Sequence, residues 1–313
     1  MISETPKQLE IDFPLSLETA NEEDKVVEMF ASILEIIERD RLEQTSFLKK
    51  LEIEIKPELG EVYGEDKVNE IFANILGIIQ RARSARSPSL KMEDIVRDGS
   101  WYKDEIIYTF YADQFGVKNE YTNNRFKDLI EMLPYLKDLG VTTLYILPFM
   151  DSPLGDAGFD VRDPQKVRQG LGGLVEFDQF MEEAKKYGFK VQADLVLNHF
   201  SDQHEWFQDA LNGDFSKLDY FIYRKEPPIY ELSEDGTIIK YIEEDGIPPS
   251  ERRMIFTDAC EGTHYRRVDI AGENYYLYHT FYPFQLDINW ENPEVLYYVL
   301  EKIIAFWSNK GID

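Results

Sequence analysis

The sequence predicts an α/β protein in which a parallel β-sheet follows a helical N-terminal region. From about Trp101, short and almost continuously apolar segments alternate with amphipathic segments of helical period. That alternation is the pattern of a parallel sheet covered by helices. Before Trp101, two similar segments both have helical periodicity. A sheet of this kind either closes into a β/α barrel or stays open as a doubly wound sheet.

The N-terminal region contains an internal repeat. Residues 24–41 align with residues 66–83, and 12 of the 18 aligned pairs are identical. Each copy has an apolar stripe at helical spacing, formed by Val26, Phe30, Ile33 and Ile37 in the first copy and by Val68, Phe72, Ile75 and Ile79 in the second. We therefore predict a helical region over residues 1–100 that packs on the main domain; the alternative is that its exposed remainder docks a partner or mediates oligomerisation. The stretch SARSPS at 84–89 is typical of a linker or boundary.

The following hundred residues, 101–200, contain the predicted sheet. Near-continuous apolar runs predict its strands, and apolar residues at helical spacing predict the helices between them. The predicted strands are Ile106–Phe115, Val141–Phe149 and Phe189–Phe200, and the predicted helices are Phe126–Gly140 and Leu174–Gly188.

The alternation of strands and helices stops at residues 201–283. This stretch contains Asp-Gly and Pro-Pro turn signals and many tyrosines, which predicts an insertion with its own irregular or β structure. Residues 284–313 then return to the main domain. They include a helix over Pro293–Gly311, which has proline in its first turn and glycine at its end.

Composition excludes several classes of function. The chain has 313 residues, with 60 acidic against 34 basic residues and a formal net charge of −26, so binding to nucleic acid or to an anionic membrane surface is disfavoured. Its single cysteine, Cys260, is expected to be an inert thiol and cannot form an intrachain disulfide. The sequence shows neither a signal peptide nor an apolar run long enough to cross a bilayer. We therefore expect a cytoplasmic protein.

Polar residues follow the second and third predicted strands, where barrel enzymes carry their sites. Asp160 lies in a glycine-rich turn beside Phe159, and Asn198 and His199 end the third strand. Carboxylates and imidazoles bind sugar hydroxyls, and aromatic faces stack on pyranose rings. The pattern therefore indicates a sugar site. Structural roles are expected for three further polar residues of this region, Asp194, Asp202 and His204.

Four segments together carry a resemblance to a known family. They are LYILPFMDSPLGDAGFDV, ADLVLNHFSDQHEWF, RMIFTDACEGT and YYLYHTFYPFQLDINWENPEV, in this order. The chain resembles glycoside hydrolase family 13, the α-amylase family, and especially its trehalose synthase, amylosucrase and α-glucosidase-like members. The resemblance covers about residues 101–313. It implies an incomplete (β/α)8 TIM barrel, with the first three strands plus the insertion called domain B.

The resemblance also implies substrate-binding residues. Asp160 and His199 match the residues that hold the glucosyl unit in subsite −1, and Phe281 and Gln285 match further wall residues of that subsite. Phe159 replaces the usual stacking tyrosine, so the ring is kept and its hydroxyl group is lost. The implied substrate is a neutral oligosaccharide or disaccharide, which the acidic composition does not oppose.

The resemblance further implies a structural calcium ion and a retaining reaction without any required cofactor. Asn198 and Asp258 match calcium-ligand positions, and calcium prefers such oxygen ligands. The family's nucleophile, acid glutamate and third aspartate lie on or after the fourth strand and are therefore expected after Asp313. About a hundred of the 313 residues belong to the helical region and about eighty to the insertion, which leaves too few for an eight-stranded barrel of about 250 residues. We therefore expect this chain to be the truncated N-terminal part of a longer enzyme, and to be inactive alone because the catalytic residues are missing.

The sequence leaves one alternative function open and disfavours another. A non-catalytic sugar-binding or scaffold protein could use this fold without the catalytic carboxylates. A doubly wound nucleotide-binding enzyme is disfavoured, because no G-x-G-x-x-G or P-loop motif follows any predicted strand.

Overall fold

A computed structural model describes six stretches of the chain, which are residues 48–97, 100–116, 124–227, 229–232, 238–242 and 264–313. The chain divides into two compact units, Met1–Pro57 and Glu58–Asp313. Residues 48–57, the described part of the first unit, are helical. The first repeat copy at 24–41 lies outside the described residues. The predicted boundaries at residues 100, 200 and 283 stay predictions.

The second unit begins with helical residues 58–63 and two further helices, α1 at Val68–Ala85 and α2 at Pro88–Val96. The second repeat copy therefore lies in α1, whose buried face is formed by Val68, Ile71, Phe72, Ile75 and Ile78. The SARSPS stretch forms the break between α1 and α2. There the Ser87 hydroxyl accepts from the Leu90 amide, and Pro88 occupies the first turn of α2.

A three-stranded parallel sheet forms the centre of the second unit. Its strands are β1 at Ile107–Phe110, β2 at Thr143–Ile146 and β5 at Lys190–Ala193, in the order β1-β2-β5. The β2–β5 connection also contains the antiparallel pair β3 at Met150–Asp151 and β4 at Asp163–Val167. Helices connect the parallel strands, with α3 at Phe126–Ile130 and α4 at Leu133–Asp138 in the first connection and α5 at Gly173–Lys186 in the second.

The helix predicted over Phe126–Gly140 is two helices, so that prediction was wrong in its continuity. The break falls between Ile130 and Leu133, and Pro134 lies in the first turn of α4. Proline has no amide hydrogen to donate to the preceding turn, and its ring crowds that turn, so a continuous helix is disfavoured here. The predicted end at Gly140 agrees with its positive φ of 86°.

An aromatic cluster joins the sheet to its helices. Phe126 in α3 lies 5.1 Å from Phe177 in α5, and Phe149, which follows β2, stacks on Phe177 at 5.0 Å. Trp307 lies 5.1 Å from Phe149, and its indole N–H donates to the Pro164 carbonyl. These rings are at most 1% exposed. The core therefore forms where the two connections and the C-terminal helix meet.

The strand predicted over Phe189–Phe200 is also two elements. The parallel strand β5 ends at Ala193, and a separate strand, β6 at His199–Ser201, pairs antiparallel with β12 at Gln285–Asp287. The apolar run is continuous in sequence, but its second half takes a partner from the far side of the insertion. The backbone therefore leaves the parallel sheet between the two strands.

The insertion mixes helices and strands. Helix α6 at Glu205–Leu211 and a 3₁₀-helix at Phe215–Tyr220 come first. Five strands follow among the described residues, which are β7 at Tyr223–Arg224, β8 at Ile229–Leu232, β9 at Ile238–Ile242, β10 at Tyr265–Ile270 and β11 at Glu273–Tyr278. Strands β10, β11 and β7 form a small antiparallel sheet in that order, and β8 pairs with β9 in a separate antiparallel pair. Positive φ angles at Ala271 and Gly272 form the tight turn between β10 and β11.

The C-terminal helical segment comprises α7 at Pro293–Tyr298, a π-helical stretch at Val299–Ile304 and α8 at Ala305–Asn309. It matches the helix predicted over Pro293–Gly311. Asp313 then reaches β5, where its amide donates to the Val191 carbonyl at 2.8 Å. Among the described helices, none has the length and apolar character needed to cross a bilayer.

Candidate functional site

The pairing of β6 with β12 builds the centre of the candidate site. In this register Asp287 lies opposite His199, and Gln285 lies opposite Ser201. The backbone therefore brings the end of the predicted third strand beside the segment that follows the insertion. Two predicted subsite residues from distant parts of the sequence, His199 and Gln285, become neighbours on adjacent strands.

The His199 side chain is 3% exposed and has a partner at each ring nitrogen. Its Nε2 lies 3.1 Å from the Phe159 carbonyl oxygen, and its Nδ1 lies 3.3 Å from the Asn198 amide nitrogen. A carbonyl oxygen only accepts, so Nε2 carries the hydrogen and Nδ1 accepts from Asn198. Burial lowers the pKa of His199 to about 4, which makes the imidazole neutral near pH 7.

Asp160 is held by the loop that surrounds it. The carboxylate is 1% exposed. Its Oδ1 accepts from the Ser152 hydroxyl at 2.7 Å and from the Asp156 amide at 3.2 Å, and its Oδ2 accepts from the Gly155 amide at 2.8 Å. Three charge-assisted hydrogen bonds therefore compensate the cost of burying the charge.

The same loop has an unusual backbone. Leu154 and Ala157 have φ angles of 65° and 49°, and Gly158 has a φ of 105°. A Cβ atom at Gly158 would lie 2.7 Å from the Pro148 carbonyl oxygen, so only glycine fits there without rearrangement. Positive φ angles at residues other than glycine cost free energy and concentrate at functional sites. The hydrogen bonds to Asp160 maintain this conformation.

Gln285 connects the two halves of the site. Its side chain is fully buried, and its Nε2 donates to Asp156 Oδ2 at 2.9 Å, while its Oε1 accepts from the Tyr282 amide at 3.0 Å. Asp156 in turn donates its amide to Asp160. Gln285 therefore joins β12 to the loop that holds Asp160.

Two aromatic rings complete the cluster. The Phe281 ring lies 5.2 Å from the His199 ring at an interplanar angle of 62°. Phe159 is partly buried against the core, and its carbonyl oxygen holds the imidazole. The five predicted substrate-binding residues therefore lie together and combine a carboxylate, a neutral imidazole, a carboxamide and two rings. These groups suit a ligand with hydroxyl groups and an apolar ring face. The roles of the individual residues stay predictions.

The predicted calcium ligands are only partly described. Asn198 is exposed, and its side chain is hydrogen-bonded to Asp287 as well as to His199. Both Asp287 oxygens accept from Thr280, and burial raises the pKa of this carboxyl group. Asp258 lies outside the described residues, as does Cys260. In the described stretches, no three His, Cys, Asp or Glu side chains cluster as metal ligands do. Asn198 has a side-chain oxygen of the kind that calcium prefers.

Three polar residues have the structural contacts expected from the sequence. His204 Nδ1 accepts from the Trp206 amide at the start of α6, and burial lowers the pKa of His204 to about 3. Asp202 forms an ion pair with Arg266 at 2.7 Å. Asp194 accepts from the Tyr145 hydroxyl at 3.1 Å.

Sequence reasoning missed four supporting residues of this site, which are Ser152, Asp156, Thr280 and Asp287. All four lie inside the sequence motifs that carry the family resemblance, and the carboxylates of Asp156 and Asp287 were a readable signal. Ser152 and Thr280 act through hydroxyl groups, whose partners are set by the folded loop rather than by local sequence.

Comparison with known proteins supports the resemblance to the α-amylase family. Residues 86–313 match the family described as alpha amylase, catalytic domain. The chain is 34% identical over 216 residues to a trehalose synthase from Thermus thermophilus, covering 69% of this chain and 20% of that protein. It is 31% identical over 213 residues to an oligo-1,6-glucosidase from Heyndrickxia coagulans, covering 68% of this chain and 34% of that protein.

A solved structure is also similar to this chain in fold. A mutant of the trehalulose synthase MutB, in complex with the substrate sucrose, aligns with a TM-score of 0.54 at 30% identity, covering 69% of this chain and 35% of that one. The chain thus spans about a third or less of the length of the relatives cited here. The partial (β/α)8 barrel is favoured over the doubly wound sheet by this match and by the family assignment. The chain belongs to the α-amylase catalytic-domain family.

Proposed function

We propose that the chain is the N-terminal part of an enzyme that acts on α-glucosides or α-glucans, either as a glycoside hydrolase or as a transglycosylase. The observation that carries this proposal is the pairing of β6 with β12, which gathers His199, Gln285 and Phe281 around the loop that holds Asp160. On this proposal the cluster binds the glucosyl unit of a neutral sugar in subsite −1. Phe159 contributes a ring without the usual hydroxyl.

The proposed reaction is retaining and needs two carboxyl groups about 5.5 Å apart, one as nucleophile and one as acid. Those groups would come from residues after Asp313, so no bond-breaking step is assigned to the residues present here. The 313-residue chain is accordingly proposed to bind sugar without cleaving it. Such chemistry requires no cofactor, because the carboxyl pair supplies both the attack and the proton.

Disaccharides are the proposed substrates. Named relatives include a trehalose synthase and an oligo-1,6-glucosidase, and MutB was solved with sucrose. The motifs IFTDACEG and FQLDINWENP favour isomerisation or transfer over hydrolysis within this range. A cytoplasmic location accompanies the proposal, since the single cysteine offers no disulfide framework of the kind found in many secreted proteins.

The proposal is tested by assaying both the 313-residue chain and the full-length product of its gene with maltose, trehalose and sucrose. Turnover by the full-length protein and none by the 313-residue chain is expected. In the full-length protein, Asp160→Ala should abolish turnover. The matched change Asp178→Ala, at a carboxylate that pairs with Lys310 on the surface, should leave turnover unchanged. A full-length protein that binds sugars but turns none over would instead favour the sugar-binding or scaffold function.

We extend the proposal to a structural calcium ion held by Asn198 and Asp258. The exposed amide of Asn198 supports it, because amide and carboxylate oxygens are suitable calcium ligands. Added calcium should raise the melting temperature of the 313-residue chain, and a chelator should reverse the rise. An identical response from the Asn198→Ala variant would refute this assignment.

A further inference from the structure

A cavity lies outside the candidate sugar site, between α1 and the C-terminal helical segment. Its volume is about 350 Å³, which falls in the range of small-molecule pockets, roughly 300–1,000 Å³. Small and apolar side chains from both elements form its floor, namely Ile78, Ala82, Ala85, Ala305 and Phe306. Three alanines leave room where larger side chains would close the gap.

The charge around this cavity is opposite to that of the chain as a whole. Acidic residues outnumber basic ones 60 to 34 in the sequence, yet the cavity is lined by Arg81, Lys302 and Lys310 against one carboxylate, Glu301. Charged side chains here therefore favour an anion, in a molecule that otherwise repels anions.

The ion pairs leave part of this positive charge unmatched. Arg81 Nε lies 2.9 Å and Lys302 Nζ 3.8 Å from the Glu301 carboxylate, so one negative charge serves two cations. Lys310 pairs with Asp178, which lies outside the cavity lining. An anionic group beside Arg81 and Lys302 would supply the missing charge.

The floor adds a preference for an attached apolar surface. The Phe306 ring is only partly buried, and it lies edge-on to Trp307 at 5.0 Å. A sugar presents a C–H face that packs well on an aromatic ring. Gln165 supplies a side-chain amide at the same cavity for hydroxyl groups.

We propose that this cavity binds a hexose monophosphate, with the phosphate beside Arg81 and Lys302 and the sugar ring on Phe306. Inorganic phosphate would contact Arg81 and Lys302 but make no contact with the Phe306 ring. A neutral hexose would contact the Phe306 ring but make no charged contact with Arg81 or Lys302. Both should therefore bind more weakly than the combined ligand. The site is built wholly from described residues of this chain and does not depend on the proposed glucosidase function.

Isothermal titration calorimetry of the 313-residue chain tests the proposal with glucose 6-phosphate, glucose and inorganic phosphate as separate ligands. Saturable binding of glucose 6-phosphate at one site is expected. Glucose and inorganic phosphate should each bind at least about tenfold more weakly, because glucose lacks the charge-assisted contacts and phosphate lacks the contacts of the sugar ring. No saturable binding of glucose 6-phosphate, or equal affinity for glucose, overturns the proposal.

Reversing the charge of one lysine in the cavity and of one lysine elsewhere tests whether glucose 6-phosphate binds at this cavity or is attracted to any exposed lysine. Lys302→Glu should weaken glucose 6-phosphate binding by about tenfold or more. The control Lys186→Glu changes a lysine of similar exposure, 56% against 48%, that lies on α5 away from the cavity, and it should leave binding unchanged. Equal affinities of the two variants would overturn the assignment. Matching far-ultraviolet circular dichroism spectra would establish that both variants are folded.

Discussion

Replacing Asp160 by asparagine tests whether this carboxylate maintains the loop of the candidate site. Asp160 accepts three hydrogen bonds, two from backbone amides and one from the Ser152 hydroxyl. Asparagine keeps one accepting oxygen and replaces the other with an NH₂ group, which only donates. Gly155 and Asp156 donate to different carboxylate oxygens, so whichever way the new amide turns, at least one backbone N–H loses its acceptor.

The expected cost follows from burial. A buried donor left without an acceptor costs about 1–3 kcal/mol, and Asp160 is 1% exposed. We therefore expect Asp160→Asn to lower the free energy of unfolding by about 2 kcal/mol. For 313 residues, at about 2.1 cal/mol/K of unfolding entropy per residue, that corresponds to a melting temperature lower by about 3 °C.

Urea unfolding followed by tryptophan fluorescence measures this loss directly. The control Asp178→Asn alters an exposed carboxylate that pairs with Lys310, and it should change stability by less than about 1 kcal/mol. A double-mutant cycle with Ser152→Ala should show coupling between the two positions, because their side chains share a hydrogen bond. Equal stability of the Asp160→Asn variant and the wild-type chain would refute the reasoning and leave Asp160 without a role in holding the loop.

Three further changes have expected outcomes. Phe177→Ala removes a ring that is fully buried beside Trp307 and should cost about 3–5 kcal/mol in urea unfolding, so a cost below about 1 kcal/mol would contradict the packing. Burial opposes ionisation of Glu105, but hydrogen bonds led by that from Lys190 lower its pKa to about 2. The stability that ionised Glu105 contributes should therefore be lost as pH falls from about 4.5 toward 2, and Glu105→Gln should flatten this dependence in acid titrations followed by fluorescence. His204→Ala removes the acceptor at the start of α6 and should cost about 1–2 kcal/mol, whereas an unchanged urea midpoint would show that the cap contributes nothing.

Local patterns predicted the elements whose partners lie nearby in sequence. Periodicity predicted a helix over Leu174–Gly188, and the structure has one over Gly173–Lys186. The apolar stripe of the second repeat copy was nearly correct, with Ile78 buried more deeply than Ile79. Such agreement is expected because a helix makes its hydrogen bonds within one segment and its buried face follows from the spacing of apolar residues.

The predictions that were wrong concern segments in which a proline interrupts an apolar pattern, or in which a strand pairs with another strand far away in sequence. The helix after Phe126 divides because Pro134 interrupts an apolar pattern that otherwise continues. The apolar run at 189–200 divides because β5 joins the parallel sheet and β6 pairs with β12. Apolar residues indicate that a strand is buried, but they do not identify the strand that accepts its hydrogen bonds.

The sequence by itself determined the chemical groups of the candidate site and the family to which they belong. Asp160, His199, Phe281 and Gln285 were all recognisable within their motifs, because the residue types carry the sugar-binding chemistry. Only the tertiary structure decided that these groups meet and how each is held. The antiparallel register of β6 with β12 brings segments on either side of the insertion together, and buried hydrogen bonds then orient the carboxylate and select the imidazole tautomer. Hydrogen-bond partners of this kind depend on non-local geometry, so no local pattern specifies them.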